Sequence, residues 1–99
     1  MPPPLTGPPF ALLGMSPNPT RAGVDVAFDL PQTTVVRGRI YDARGRLVRD
    51  LGTRTYLPGR HVLSWNGAGD DGYRPRPGVY FARLVLGARE ITGKIVLLP

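Results

Sequence analysis

Ser64-Trp65-Asn66-Gly67-Ala68-Gly69-Asp70-Asp71-Gly72 runs on to Pro77-Gly78-Val79-Tyr80-Phe81-Ala82-Arg83-Leu84, and the reading of this stretch decides the fold. It reads as a strand ending in a buried indole, a Gly/Asp loop, and a second strand. Such a pairing suits a small β-sandwich, in which one large aromatic fills the space between two sheets while the loop carries the chain across. It is a scaffold signature, and it names no catalytic group.

Period-two patterning continues on both sides of it. Val24, Val26, Phe28 and Leu30 share one face, with Asp25, Ala27 and Asp29 on the other, and Leu30-Pro31 closes that strand. Residues 34–41 form the next, with Val36 and Ile40 pointing one way and Arg37 and Arg39 the other. Asp42-Ala43-Arg44-Gly45 supplies a tight turn, residues 46–51 return as its hairpin partner, and residues 53–57 read as a separate short strand ended by Pro58-Gly59. Residues 60–65 place His61, Leu63 and Trp65 on one face. Residues 78–86, the turn Gly87-Ala88 and residues 89–98 make a closing hairpin. No apolar i, i+3, i+4 period of helical length occurs, because Gly or Pro interrupts nearly every candidate window. The expected fold is all-β: an immunoglobulin-like Greek-key sandwich of about seven antiparallel strands. Its expected core is Phe28, Ile40, Leu63, Trp65, Tyr80 and Leu84.

Ninety-nine residues allow one domain, and the 13 glycines and 12 prolines fall mainly between short apolar runs, as a turn-rich β chain requires. Residues 1–15 read as a proline-rich linker or arm: Pro2-Pro3-Pro4 and Pro8-Pro9 hold an extended backbone. Phe10, Leu12 and Leu13 are apolar enough to dock, in a short edge strand before the Ser16-Pro17-Asn18-Pro19 turn. Residues 16–99 are the sandwich. With no cysteine, neither a disulfide framework nor a thiolate zinc site is available. No run approaches the roughly 18 apolar residues that span a bilayer, and the N-terminus lacks the basic-then-apolar layout of a secretory signal. The net charge of +6 is almost entirely arginine, Lys94 being the only lysine. Nucleic acid is not the expected partner, because the arginines are spread along the chain and no stacking platform of aromatics accompanies them.

Chemistry-bearing constellations are sparse. His61 is the only histidine; Ser64 and Asp70 are near in sequence, but neither sits in a nucleophile elbow, and His61 reads as a structural residue on the face of Leu63 and Trp65. Asp70-Asp71 is the only adjacent carboxylate pair, a poor arrangement for glycoside hydrolysis across a cleft. Asn66, Asp70 and Asp71 are calcium candidates by their oxygen chemistry; the favoured reading is that they cap their own turn, with no cofactor. The glycines do not form a phosphate loop, since no Gly-Lys-Ser/Thr follows. The face bearing Arg37 and Arg39 could meet an acidic partner or be a solvated sheet face.

Taken in order, Ser16-Pro17-Asn18-Pro19, Phe28-Asp29-Leu30-Pro31, Ile40-Tyr41-Asp42-Ala43-Arg44-Gly45-Arg46-Leu47-Val48, Leu57-Pro58-Gly59-Arg60-His61, Trp65-Asn66-Gly67, Asp71-Gly72, Gly78-Val79-Tyr80-Phe81-Ala82-Arg83-Leu84 and Lys94-Ile95-Val96-Leu97-Leu98 form a recognisable series. The chain from Ser16 onward resembles the C-terminal Ig-like module of type IX secretion sorting domains and of the flagellar hook-capping family. The resemblance implies a non-catalytic sandwich at the end of a larger bacterial exported protein, extracellular or on the cell surface and reached through the periplasm. It implies a protein partner, either the secretion translocon or neighbouring subunits. The closing strand would be the recognition element: Gly93, Lys94, Ile95, Val96, Leu97 and Leu98, with the adjacent hairpin turn. Two alternatives stand beside it. One is a structural, self-assembling homo-oligomer whose arm adds to a neighbouring copy. The other is a calcium- or carbohydrate-binding sandwich using the Asp70-Asp71 loop with exposed Tyr56 or Tyr73.

Overall fold

The alternation of residues 24–30 is realised as strand β2 (Val24–Leu30), flanked in its sheet by β1 (Ala11–Ser16) and β5 (Gly59–Trp65). The computed structural model describes residues 7–99. The second sheet contains β3 (Thr34–Asp42), β4 (Leu47–Tyr56), β6 (Gly78–Leu86) and β7 (Arg89–Leu97), in the order β4-β3-β6-β7. Every strand pair within the sheets is antiparallel, and no helix is present among the described residues. The fold is therefore the expected all-β, seven-stranded arrangement in two sheets. Its fourth strand lies beside the third, not beside the fifth as in the constant-type immunoglobulin order.

The inward faces of both sheets meet in one core. Trp65, Phe28, Ile40 and Leu84 are at most 1 % exposed and Tyr80 is buried, whereas Leu63 is half-buried and packs against that cluster. The Trp65 and Tyr80 rings lie 6.1 Å apart, and the indole Nε1–H donates to the Ala68 carbonyl at 2.8 Å. This bond answers the polar end of a side chain that is otherwise out of water. The Tyr80 hydroxyl donates to the Arg76 carbonyl just before β6, the arrangement by which a tyrosine pins the entry of the sixth strand in immunoglobulin-like sandwiches.

Two expectations change. Residues 46–51 and 53–57 are not two strands: β4 is continuous across them, because register shifts opposite Gly38/Arg39 and Ile40/Tyr41 let Leu51 and Val48 stand as extra residues in the ladder. Both side chains pack against the core, so the bulges keep apolar groups inside where a strict period of two would expose some of them. The short edge strand expected before Ser16 also runs one residue further, as β1 ends at Ser16 and pairs with β2. Pro2, Pro3 and Pro4 lie outside the described residues.

Candidate functional site

The arm is bound at home. β1 pairs with β2 over its length, and Phe10, Leu12 and Met15 pack against the core. Leu13 does not dock: it is the unpaired residue of a bulge between Leu12 and Gly14 and is 42 % exposed. β1 lies across the sandwich from β7, where a Cβ on Gly93 would stand 3.0 Å from both Leu12 Cδ2 and Met15 Sδ. Glycine lets the two layers approach closely there, and a Cβ would make the ends of the Met15 and Leu12 side chains shift. Sequence reading missed Met15, although it keeps the alternation once the bulge is counted.

The closing strand divides by face. Gly93, Ile95 and Leu97 are buried, whereas Lys94 is exposed and Val96 and Leu98 are half-buried. Of the six residues proposed for recognition, three are therefore core. The outer edge of β7 is also partly taken. Asn18 donates from Nδ2 to the Lys94 carbonyl at 2.7 Å and accepts from the Val96 amide at 2.9 Å. Thr20 then bonds the Val96 carbonyl and the Leu98 amide through its backbone. The Ser16-Pro17-Asn18-Pro19 segment, with cis peptides before both prolines, thus shields the edge that strand addition would use.

The loop following Trp65 divides its polar side chains among separate tasks. Asn66 Oδ1 accepts from the Ala68 amide and Asp71 Oδ1 from the Tyr73 amide, both at 2.9 Å, which is turn capping. Asp70 does something else: its amide donates to the Val48 carbonyl at 2.9 Å, and its carboxylate accepts the Asp50 amide at 3.2 Å. It covers the other edge of the four-stranded sheet, and no group of three or more His, Cys, Asp or Glu side chains gathers into a metal site among the described residues. His61 Nε2 sits 2.7 Å from the Leu57 carbonyl, and its ring lies 4.8 Å from Tyr56. Ser64, on the opposite face of β5, donates to Asp25 at 2.6 Å, so strand alternation separates it from His61. Tyr56 is not the exposed ring expected for a glycan platform. It is half-buried, edge-on to Phe28 at 5.4 Å, while Tyr73 is 77 % exposed.

An open cleft of about 930 Å³ lies at one end of the four-stranded sheet, between the β3–β4 turn and the loop leading into β6. Arg44 and Arg46 line it from the turn, and Arg74 and Arg76 from the loop. Asp42 also lines it but faces its own turn, accepting the Arg44 and Arg46 amides at 2.9 Å. The Arg46 amide, then that of Arg44, holds the Asp42 carboxyl below the ordinary aspartate range. Asp50 is lowered likewise, first by the Gly52 amide and then by Arg37. A carboxylate whose folded value is depressed stabilises the fold above its unfolded value, about 3.9, and loses that contribution as pH falls through the folded value. The melting temperature is therefore expected to hold between about pH 7 and 5 and to drop below about pH 4. Asp42→Asn should melt below the wild type at neutral pH, and the gap should close on acidification. A gap independent of pH would show that the Asp42 charge is not what holds the turn.

On the outer face of the same sheet, the β3–β6 register makes Tyr41 and Phe81 direct neighbours, with Arg39 and Arg83 the next pair along. Lys94 stands opposite Phe81 on the far side. Arg39 Nη1 donates to the Tyr41 hydroxyl at 3.3 Å, and the Arg83 guanidinium carbon lies 5.8 Å from the centre of the Tyr41 ring. The Arg39 bond holds the Tyr41 phenol below its ordinary value. Arg37 and Arg83 also reach carboxylates, Asp50 at 3.0 Å and Glu90. Sequence reading missed this grouping because Tyr41 and Phe81 are far apart in the chain. The available signal was that both strands carry an arginine two residues from an aromatic.

No family model, characterised protein or solved structure matches this chain. Its own residues carry the functional argument.

Proposed function

We propose that the chain is a non-catalytic sandwich module that serves the sorting or surface attachment of a larger exported bacterial protein through the type IX route. The closing β6–β7 hairpin is its recognition element. The order of motifs from Ser16 onward supports the reading. The structural observation that carries it is the division of β7: Lys94 is exposed between the buried Gly93 and Ile95, on a ladder that pairs continuously from Gly78↔Leu97 to Leu86↔Arg89. A rigid hairpin of this kind presents one defined outward face to a translocon without moving. Recognition then reads that face, because Asn18 and Thr20 occupy the C-terminal half of the edge. Self-assembly by arm exchange is less favoured, since β1 would first have to leave β2 and uncover Phe10, Leu12 and Met15.

The test is export. The full chain fused behind a periplasm-targeted reporter, in a bacterium with a type IX translocon, should carry the reporter to the surface or medium. Lys94→Glu, at an exposed position, should reduce the exported fraction several-fold. A reporter that stays in the periplasm with the unaltered chain overturns the proposal.

A further inference from the structure

We propose that the outer face of the four-stranded sheet binds single-stranded nucleic acid, with bases stacking at Tyr41 and Phe81 and phosphates held by Arg37, Arg39, Arg83 and Lys94. This goes beyond the export reading and does not depend on it. The sequence alone points away from nucleic acid, because its arginines are dispersed and its aromatics are separate. The strand register reverses both points by putting Arg39 beside Arg83 and Tyr41 beside Phe81 on the two central strands. Lys94 then extends the cationic border onto β7, opposite Phe81.

Sequence-tolerant binding of single strands needs two components: flat rings that accept any base, and cations spaced along the backbone. Tyr41 and Phe81 are half-buried, so each ring is braced by the sheet and still reachable. Arg83 lies over the Tyr41 ring, and a guanidinium plane is itself a surface on which a base can stack. Arg39 spends Nη1 on the Tyr41 hydroxyl, and its Nε is buried without a hydrogen-bond partner, so only the outer end of the guanidinium faces a ligand. The carboxylates on this face, Asp50 and Glu90, pair with Arg37 and Arg83 in exposed positions. Exposed pairs of this kind hold weakly and yield to a phosphate. The strip does not end at the sheet, since Leu47, opposite Tyr41, also lines the arginine-bordered cleft. Over the whole chain, a net charge of +6 gives a polyanion a long-range attraction as well. An acidic protein would use the cations, and protein interfaces also favour aromatics; adjacent rings bordered by cations are the arrangement that single strands use, which is why nucleic acid is the better fit.

The test uses the full chain and a fluorescently labelled oligothymidylate, read by anisotropy, with polyglutamate and base-free polyphosphate as competitors. Oligothymidylate should bind at low salt, and log K against log salt should have a slope of about −2 to −3 for three or four phosphate contacts. Tyr41→Leu and Phe81→Leu, which keep an apolar side chain at each position, should each weaken binding about tenfold with an unchanged thermal melt. Arg39→Gln should make the slope shallower by about 0.7. No binding at low salt overturns the proposal. So does equal competition by polyglutamate or polyphosphate combined with wild-type affinity in the two aromatic variants, a result that marks a surface reading charge alone.

Discussion

Trp65→Ala is expected to lose about 3–5 kcal/mol of folding stability, a large share of the 5–15 kcal/mol that a domain of this kind possesses. The indole is 1 % exposed at the end of β5, beside Tyr80 of the opposite sheet, so its removal opens a cavity that both sheets line. Tyr80 cannot move in to fill the space, because its hydroxyl is tied to the Arg76 carbonyl. The Ala68 carbonyl also loses its donor, which releases the first turn of the loop beyond β5. In thermal unfolding the loss corresponds to a midpoint about 15–30 °C lower. Trp65→Phe separates the two causes: it keeps an apolar ring and gives up only the N–H and part of the volume, so its loss should be about a third as large. A Trp65→Ala midpoint within a few degrees of the wild type would mean that the indole does not organise the core.

Gly67→Ala is expected to cost about 2–4 kcal/mol, although it adds a single carbon. Two effects combine. Gly67 has φ +86°, a conformation that L side chains rarely adopt, and a Cβ there would stand 2.5 Å from the Ala22 carbonyl oxygen and 2.9 Å from its carbon. These are backbone atoms just before β2, and no rotamer change relieves the contact. The loop after β5 would have to draw away from the entry to β2, in the neighbourhood of the Val24↔Trp65 pair. Gly45→Ala is the matched comparison: its φ of +84° is nearly the same, but nothing lies within 4 Å of its Cβ, so only backbone strain of about 1–2 kcal/mol applies. Urea unfolding of the two variants measured side by side gives the contact energy as the difference of their midpoints multiplied by the slope m. Equal losses would show that the Ala22 contact is unimportant.

Period-two alternation was enough to locate β2, β3, β5, β6 and β7 to within a residue or two, and to pick Trp65, Phe28, Ile40, Tyr80 and Leu84 as core, because facing along a strand is a local property. It failed at β4, where two bulges interrupt the period, and at Leu13, where another does; a bulge is defined by the partner strand, which no single segment contains. Cross-chain decisions were equally out of reach. Ile95 and Leu97 read as parts of a recognition strand until the opposite sheet covered them, and Asp70 read as turn chemistry until β4 supplied an amide for it. The edge of β7 could not be known to be shielded before Asn18 and Thr20 were seen against it. The sequence by itself thus determined an all-β chain with a tryptophan at its centre, since burial of alternate side chains follows from neighbours along the backbone. Only the tertiary structure decided that residues 53–56 continue the hairpin partner of β3 as one strand, and that Tyr41, Phe81, Arg39 and Arg83 form one surface. Register between strands far apart in sequence is fixed by packing of the whole sandwich, and that packing is what turns separated residues into a site.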